Sequence, residues 1–440
     1  MSESFSSKIR AGFESYLTRG NQSQSQILEF AAPRIVTASA RAEIHPIVPQ
    51  YYFQNLIRPI WGKAGITPPA IGDHPDFKDL AGTNEIAQCP ITTLFMDIES
   101  STRLGVLYRP EQVFKIKNAF IGTAIEVIQA FEGHVHRIMG DAVMAFFGGK
   151  YVQPENAVLQ ALNAAGMIVY VVKKAIIPKL TEEGYENPFG IRIGIDYGSR
   201  EEVLWSSYGF PGANEVTATS FFVDAASKLQ HAAPRNAIML GQSLRDFIFF
   251  PKELLKNKRV QSGATETDEL YLLPNITDRA KRPINYRQYI LDSVSYLSCS
   301  PVAPHDSEVF KSENTLGPVS VSIYKANEKD GAFEGSYTQC GSFLEKEKWL
   351  CFEVKLLGNS DVRMPLKIKF EVENHGEEAE KDDNNGNHVT EKPVSSNSSF
   401  RSGIQHWEHA KYRGIHYMKI VILNGSGERK FERCFGVCIV

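Results

Sequence analysis

Two acidic residues stand where apolar, β-like runs end. Asp97 follows the run Leu94-Phe95-Met96, and Asp141 follows Arg137-Ile138-Met139-Gly140. Hard cations such as Mg²⁺ take oxygen ligands, usually one or two carboxylates together with substrate phosphates. The pair Ser101-Thr102 would open a helix whose unpaired N–H groups face an anion. The spacing therefore indicates a two-carboxylate metal site beside a phosphate, although either half alone is equally compatible with an ordinary helix N-cap.

Composition limits the class of protein to which these residues belong. The chain has 440 residues, 42% of them hydrophobic and 22% charged, with a formal net charge of −3. That length accommodates two or three domains with their own cores. The balanced charge argues against nucleic acid or an acidic membrane surface as the main partner.

Cysteine usage and the N-terminus bear on the compartment. The six cysteines form no C-x-x-C pair and no Cys/His cluster with zinc spacing, which favours free thiols in a reducing compartment. Residues 1–26 are polar and lack the apolar core of a signal peptide. We find no window approaching the roughly 18 apolar residues of a membrane span. The sequence therefore predicts a soluble, cytoplasmic protein.

Changes in composition divide the chain into successive segments. We predict a helical lead-in (1–45), an aromatic and Pro-rich segment packing on the following core (46–88), an alternating strand-and-helix domain (89–296), a linker (297–314) and a β-rich domain (315–440). Within the last domain, residues 373–399 are acidic, rich in Asn and Ser and poor in apolar residues. This composition predicts a flexible loop.

Hydrophobic periodicity predicts the order of elements in the strand-and-helix domain. The expected elements are a strand at 91–96, a helix at 111–131, a hairpin at 135–138 and 142–147, a helix at 155–174, a strand at 189–196, a helix at 219–230 and a strand at 237–240. This order predicts an α+β fold with a mixed or antiparallel sheet covered by helices. Short β-type runs at 320–324, 349–356, 366–372, 417–423 and 434–440 predict a C-terminal β-sandwich.

Four ordered motifs resemble the class III nucleotidyl cyclases. They are Thr93-Leu94-Phe95-Met96-Asp97-Ile98 with Ser101-Thr102, the run Gly133 to Gly148, Ile191-Arg192-Ile193-Gly194-Ile195-Asp196-Tyr197-Gly198, and Val223-Asp224-Ala225-Ala226-Ser227-Lys228-Leu229-Gln230. The resemblance implies a ferredoxin-like βαββαβ core in a head-to-tail homodimer with active sites at the interface. It also implies that Asp97, Asp141 and the carbonyl of Ile98 hold two Mg²⁺ or Mn²⁺ ions. The 3′-oxygen of a nucleoside triphosphate would then attack the α-phosphate, releasing diphosphate.

Two positions depart from the family pattern. Asp224 replaces the usual Asn that orients the ribose, and Lys228 replaces the usual Arg that meets the charge developing on the phosphate. Lysine is a cation without the planar fork of arginine. The resemblance still assigns both residues to catalysis. The departures also leave open a degenerate, non-catalytic nucleotide- or phage-binding dimer.

The residues expected to contact the base are also unusual. Arg137 lies four residues before the second metal aspartate, where adenylyl cyclases have Lys and guanylyl cyclases have Glu, and its paired position is Thr217. Cytosine presents two adjacent acceptors that suit a guanidinium fork, and Thr217 could accept its amino group. These residues favour a pyrimidine nucleotide, with CTP slightly preferred over UTP. A purine cyclase with an unusual pocket remains the alternative.

The C-terminal segment resembles the sensor (AGS-C) domain that follows cyclases in bacterial anti-phage systems. Its matching stretches are Trp349 to Val354, Glu373 to Ala379 and His406 to His416. The combination resembles the Pycsar pyrimidine cyclases, which make cyclic CMP or cyclic UMP on infection. It implies a second messenger acting on a separate effector protein. Tyr51 is a further candidate that would stack on the base, with packing against the core as its alternative role.

Overall fold

The computed structural model describes residues 4–30, 51–185, 189–263, 265–310, 313–358 and 362–440. Residues 31–45 of the predicted lead-in lie outside the described residues. Residues 46–50 of the aromatic segment lie outside them as well. Within the described part, the lead-in is helical. The aromatic segment begins with a second helix. These two helices are α1 (Phe5–Phe30) and α2 (Tyr52–Ile60).

Among the described residues, the middle of the chain forms most of the helices and three sheets. Its elements are β1 (Ile86–Gln88), β2 (Ile91–Ile98), α3 (Ser101–Leu107), α4 (Pro110–Ala130), β3 (His134–Met139), β4 (Ala142–Phe147), α5 (Pro154–Val171), α6 (Ile177–Glu182), β5 (Ile191–Gly198), β6 (Leu204–Phe210), β7 (Ala213–Thr219), α7 (Phe221–Ala232), β8 (Ala237–Gly241), α8 (Gln242–Phe247), β9 (Leu255–Lys256), β10 (Lys258–Ser262), β11 (Thr265–Glu269), β12 (Gln288–Leu291) and α9 (Ser293–Ser298). A π-helical turn, Val172–Ile176, joins α5 to α6.

Strands dominate the remainder. Its elements are α10 (Ser307–Phe310), β13 (Glu313–Asn314), β14 (Val319–Ala326), β15 (Gly335–Ser336), β16 (Phe343–Leu344), β17 (Trp349–Leu356), β18 (Leu366–Glu373), β19 (His388–Val394), α11 (Asn397–Ser402), β20 (Ile404–His409), β21 (Gly414–Asn424) and β22 (Arg429–Ile439).

The main sheet contains the predicted βαββαβ unit. Its strand order is β3-β4-β2-β5-β8-β12-β9. Strand β2 pairs antiparallel with β4 and β5, while β8 adds parallel to β5. The first four strands with α4 and α5 form the ferredoxin-like arrangement, so the predicted fold class is confirmed.

Alternate residues of β2 face two different cores, as the strand periodicity requires. Leu94 and Met96 pack with α4 and α5 on one side of the sheet. Phe95 packs on the opposite side, where Trp205 of β6 and Val223 of α7 complete a second cluster. The hairpin β6–β7 and helix α7 therefore lie on the face that α4 and α5 do not cover.

The N-terminal helices cover the outer side of α4. Phe13 of α1 and Phe53 and Ile57 of α2 are fully buried in the same cluster as the α4 core residues. The backbone N–H of Gln54 donates to the carboxylate of Glu126 on α4 at 3.1 Å. The first described residues thus form an extra layer on the helical side of the sheet.

One helical segment corrects the composition-based prediction about membrane spans. Pro154–Glu182 is long and apolar enough to cross a membrane, but 78% of its most apolar stretch is buried inside the protein. Ala and Gly positions on α5 allow neighbouring elements to approach closely. Gly166, for example, lies directly beneath Leu297 of α9. Its apolar character is explained by packing on several sides.

The C-terminal domain is the predicted sandwich. One sheet has the order β13-β22-β21-β18-β19, with β16 paired to β22, and the other has the order β15-β14-β17-β20. A separate cluster lies between the sheets, with Phe352, Phe370 and Phe435 fully buried in it. All five predicted β-type runs correspond to strands.

The predicted flexible loop at 373–399 is wrong over much of its length. Residues His388–Val394 form β19, which pairs antiparallel with all but the last residue of β18. The side chain of Glu391 bridges Lys367 and Lys369 on that neighbour. An edge strand needs backbone pairing and only one covered face, so its polar composition did not prevent it from folding.

The predicted linker at 297–314 is also more ordered than its composition indicated. Val302, Ala303 and Phe310 are buried in the same cluster as α5. Cys340 and Cys438 of the C-terminal domain join that cluster as well. Asn163 of α5 donates to the carbonyl of Cys340 at 2.7 Å and accepts from the hydroxyl of Tyr296 at 2.8 Å. The two domains therefore share one continuous core along α5, while the exact domain boundaries remain a prediction.

Candidate active site

Asp97 lies one residue before the end of β2. It stands opposite Arg192 of β5 in the strand register, and the guanidinium donates to Asp97 Oδ2 at 2.6 Å. Gln230, near the end of α7, approaches the same oxygen at 3.4 Å. Helix α7 can come this close because position 194 of β5 is glycine. A Cβ there would lie 2.2 Å from the Ala226 carbonyl oxygen.

Asp141 lies in the turn of the β3–β4 hairpin. The preceding Gly140 has φ of +69°, a left-handed conformation that suits glycine and sets the turn. Lys117 of α4 approaches Asp141 Oδ1 at 3.4 Å. The other oxygen, Oδ2, is buried and receives no hydrogen bond. A buried carboxylate oxygen left in this state requires a partner.

The two aspartates interact with one another. Burial raises the pKa of Asp97, Arg192 opposes this shift, and the neighbouring Asp141 adds to it. For Asp141, burial acts to raise the pKa, but hydrogen bonding with Ser101 and Asp97 and the nearby Lys117 outweigh burial and lower it. Two carboxylates close enough to share a proton in this way repel each other when both are ionised.

This donor set fits divalent cations. The unpaired Oδ2 of Asp141 and the mutual repulsion of the carboxylates would both be relieved by a cation between them. Ile98 ends β2 immediately after Asp97, so its carbonyl is available at the same edge of the sheet. Among the described residues, no group of three or more His, Cys, Asp or Glu side chains converges as a metal centre. The candidate ligand set is therefore two carboxylates and a backbone carbonyl, with substrate oxygens to complete it.

Ser101 and Thr102 open α3, as predicted. Ser100 precedes them with φ of +59°, which turns the chain sharply between β2 and the helix. Ser101 contacts Asp141, whereas Thr102 is exposed. The serine therefore joins the metal-candidate cluster, and the helix begins beside it.

Arg137 and Thr217 lie in neighbouring parts of the structure. Arg137 is on β3, where Glu215 of β7 holds its guanidinium by two contacts, through Nε and Nη2. Thr217 lies two residues after Glu215 on the same strand, and therefore on the same face. His136 Nε2 also lies 2.9 Å from Glu215 Oε1. A single chain therefore places the guanidinium of Arg137, the carboxylate of Glu215 and the hydroxyl of Thr217 close to one another.

A segment before the main sheet fixes the position of this cluster. The carbonyl of Gly72 lies 2.8 Å from His134 Nε2 and 3.0 Å from His136 Nδ1, both on β3. The carboxylate of Asp73 accepts from the backbone N–H of Val216 at 3.0 Å. Residues 72–73 therefore connect β3 to β7. Beneath them Trp205 stacks on Phe77, with ring centroids 4.0 Å apart.

Asp224 and Lys228 lie one turn apart on α7. Both side chains are exposed, whereas Val223, Ala225 and Leu229 on the same helix are buried. Lys228 lines an open cavity of about 580 Å³ together with His231 and Lys258. The structure places the pair on an accessible surface of α7, the helix whose Gln230 approaches the half-buried Asp97.

Tyr51 does not reach the base-contact candidates within one chain. It is half-buried at the beginning of α2, and this helix packs against α1 and α4. Arg137 stands opposite Met144 in the register, and Met144 belongs to the cluster on the other side of the sheet. A contact between Tyr51 and a base would require a second subunit, and it stays a prediction.

Sequence reasoning missed three side chains that hold the candidate residues. They are Arg192, Lys117 and Glu215. Arg192 lies within the motif at 191–198, which does not itself indicate a partner for it, and Lys117 falls in the first half of the predicted helix at 111–131. Glu215 could have been found only after β7 had been recognised, because its signal is the two-residue spacing from Thr217.

Comparison with known proteins identifies both domains. Residues 85–247 match the adenylate and guanylate cyclase catalytic domain, and residues 307–440 match the adenylyl/guanylyl and SMODS C-terminal sensor domain. These matches cover the two regions from which the sequence resemblance was drawn. The predicted resemblance is confirmed.

Relatives extend over nearly the whole chain. A cytidylate cyclase of Escherichia coli is 37% identical over 424 residues, covering 94% of this chain and 85% of that protein. A cytidylate cyclase of Staphylococcus aureus is 34% identical over 388 residues, covering 87% of this chain and 86% of that protein. A uridylate cyclase of Gulbenkiania mobilis is 27% identical over 165 residues, covering 36% of this chain and 61% of that protein. The chain belongs to the nucleotidyl cyclase family whose members join an adenylate and guanylate cyclase catalytic domain to this C-terminal sensor domain.

Proposed function

We propose that the protein is a cytidylate cyclase, converting CTP to 3′,5′-cyclic CMP and diphosphate. The observation that carries this proposal is the pair of interacting aspartates, with one buried oxygen left without a partner. The reaction class follows from the family. The choice of pyrimidine is supported by the cytidylate cyclases that match this chain over most of its length.

Asp97, Asp141 and the carbonyl of Ile98 are the proposed ligands of two Mg²⁺ or Mn²⁺ ions. When bound, such ions lower the pKa of the 3′-hydroxyl and neutralise the triphosphate. Arg192 favours the ionised form of Asp97, opposing the rise in pKa that burial causes, and orients the carboxylate because its guanidinium is fixed opposite in the strand register. Ser101 holds Asp141 from the beginning of α3, where backbone N–H groups are available to phosphate oxygens.

The remaining catalytic residues are proposed to come from the second subunit of a homodimer. Asp224 and Lys228 are exposed on α7, where a partner's nucleotide can reach them. Lys228 would offset the charge that develops on the α-phosphate as the bond to diphosphate breaks. Asp224 would accept a hydrogen bond from a ribose hydroxyl. The negative charge of Asp224 does not repel the nucleotide strongly if the side chain contacts the sugar and not the phosphates.

Arg137, Glu215 and Thr217 form the proposed base-recognition group. Cytosine offers an amino donor next to two acceptors, N3 and O2. Arg137 supplies donors for the acceptors, and Thr217 or Glu215 accepts from the amino group. Since Glu215 already fixes the guanidinium by two contacts, the fork is oriented before nucleotide binds. Tyr51 of the second subunit would complete the pocket by stacking.

The wider role is proposed from the same resemblance. The protein would act in the cytoplasm as a soluble enzyme in anti-phage defence, and cyclic CMP would activate a separate effector protein. Neither nucleic acid nor a membrane is needed as a partner in this scheme, which the net charge of −3 supports.

Product analysis tests the proposed activity. The purified protein is incubated with equal concentrations of ATP, GTP, CTP and UTP plus Mn²⁺, and products are identified by mass spectrometry. Cyclic CMP should dominate, and Asp141→Asn should abolish it because the amide keeps the shape but removes the charge. The matched control is Asp330→Asn, an exposed turn residue of the C-terminal domain that should leave turnover unchanged. A dominant cyclic purine, or no product under a range of activating conditions, would reject the proposal.

A further inference from the structure

A cavity in the C-terminal sandwich is lined entirely by residues of that domain. Its volume is about 540 Å³, and its inner wall is apolar, formed by Leu350 and Phe352 of one sheet and by Met418, Val437 and Ile439 of the other. Ligand-binding clefts for small organic molecules commonly measure roughly 300–1,000 Å³ and have apolar walls. The family description calls this domain a sensor without naming what it binds.

The rim of the cavity is acidic. Three lining residues carry carboxylates, Asp382, Asp383 and Glu408, against one lysine, Lys411, and three histidines, His388, His409 and His416. Lys411 is already engaged, since its ammonium lies 2.5 Å from Asp382 Oδ2. A phosphorylated ligand, including the cyclic nucleotide that the enzyme would make, is therefore disfavoured by charge.

Glu408 is the least exposed of these carboxylates, with 20% of its side chain accessible. His406 Nε2 lies 2.6 Å from Glu408 Oε1 and His388 Nε2 lies 3.0 Å from the same oxygen. Burial acts to raise the pKa of Glu408, but the hydrogen bonds with the two histidines outweigh it and lower the pKa. The side chain therefore remains ionised at the junction of the apolar wall and the acidic rim.

One wall of the cavity is a tight turn. Asn384 and Asn385 have φ of +49° and +53°, and Gly386 follows with φ of +66°. A Cβ on Gly386 would lie 2.5 Å from the hydroxyl oxygen of Tyr412. Both Asp382 and Asp383 line the cavity beside this turn, and the hydroxyl of Tyr412 holds Asp382 by donating to its Oδ2 at 2.5 Å.

We propose that this cavity binds a small organic cation, an amine or guanidinium carried on an apolar or aromatic body. The apolar wall accepts the body, and the ionised Glu408 with Asp383 accepts the cationic group. The volume suits a compact molecule of the size of an arylalkylamine.

The position of the cavity also relates it to the cyclase domain. Strands β21 and β22 form part of its wall through His416, Val437 and Ile439, while the alternating residues Ile415 and Cys438 are buried in the core shared with α5. A ligand bound in the cavity contacts one face of β21 and β22, and the opposite face of these strands packs against the catalytic domain. Binding can therefore shift the strands and alter that packing. Binding is therefore expected to alter turnover as well.

Calorimetric titration of the full chain tests the proposal with defined probes. The cations are tryptamine, phenethylamine and agmatine, and indole-3-acetate is the matched anion with the same ring as tryptamine. At least one cation should bind, and indole-3-acetate should bind at least tenfold more weakly. Loss of a hydrogen bond to a charged group should weaken binding of that cation about tenfold in Glu408→Gln and in Asp383→Asn.

Two further variants keep the test decisive if Glu408→Gln folds poorly. Val372→Trp places a large ring at the cavity wall and should abolish binding, whereas Glu391→Gln removes an exposed carboxylate elsewhere in the domain and should not affect it. Failure of all three cations to bind, equal binding of the anion, or unchanged affinity in Val372→Trp would overturn the proposal. Because the readout is heat of binding, the outcome is independent of whether the protein cyclises CTP.

Discussion

Glu215 provides the sharpest test of the base-recognition group. It holds Arg137 by two contacts, so replacing Glu215 by Gln leaves the side-chain shape but removes the charge that orients the fork. The pair is partly exposed, with 42% of the Arg137 side chain and 32% of the Glu215 side chain accessible. Its contribution to folding should therefore be about 1 kcal/mol or less.

The effect on recognition should be larger than the effect on folding. A freed arginine regains up to about 2 kcal/mol of rotamer entropy, which must be lost again when the base binds. Since about 1.4 kcal/mol corresponds to a tenfold change in rate, kcat/KM for CTP should fall about 10- to 30-fold. The preference for CTP over UTP should fall as well.

The assay measures kcat/KM for each of the four triphosphates, together with the thermal unfolding midpoint. Arg137→Lys and the double variant complete a mutant cycle, in which the two losses should be far from additive. Glu391→Gln again serves as the control. The reasoning is refuted if Glu215→Gln leaves kcat/KM for CTP unchanged, or if the losses in the double variant simply add.

Two further predictions concern stability. Trp205→Ala should lower the free energy of unfolding by about 3–5 kcal/mol, because it removes a fully buried ring that stacks on Phe77. The control is Phe210→Ala, an exposed position of the same hairpin, which should change the free energy little. Equal urea unfolding midpoints for the two variants would contradict this prediction. Burial lowers the pKa of His416 to about 4, an effect that His375 increases and that Glu378 opposes. The folded state therefore favours neutral His416, and this preference stabilises the protein fully above about pH 6.5 and is lost as the pH falls towards 4. The loss for this group approaches about 3 kcal/mol. His416→Gln should flatten the fall of the unfolding midpoint between pH 6.5 and 4.5, and an unchanged slope would contradict the assignment.

The central βαββαβ unit was predictable because its elements are locally consistent. The apolar run before Asp97, the helical spacing of residues in α4 and the Gly140-Asp141 turn each have one natural interpretation. The metal-candidate pair follows directly, since both aspartates sit at strand ends. Their interaction in the structure agrees with that expectation, while their role as ligands stays a prediction.

The elements that were missed depend on contacts from distant parts of the chain. Strand β7 contains Asn, Glu and two Thr residues and is stabilised by pairing with β6 and by Asp73. Strand β19 contains a proline and charged residues, and it folds because β18 offers it a backbone edge. Val302 is buried in a cluster that combines α5 with Cys340 and Cys438 of the C-terminal domain. None of these partners is visible in a short sequence window.

Complementation between two inactive variants is the most direct test of the central claim, that this chain is a cytidylate cyclase whose sites combine residues of two subunits. Asp141→Asn and Lys228→Ala are purified separately, mixed, allowed to exchange subunits and supplied with CTP and Mn²⁺. Each variant alone should be inactive. Statistical exchange makes half of the dimers mixed, and each mixed dimer retains one intact site, so the mixture should form cyclic CMP at about a quarter of the wild-type rate. Exchange is verified by mass spectrometry of the dimers; a mixture that contains mixed dimers and yet forms no cyclic CMP would contradict the account.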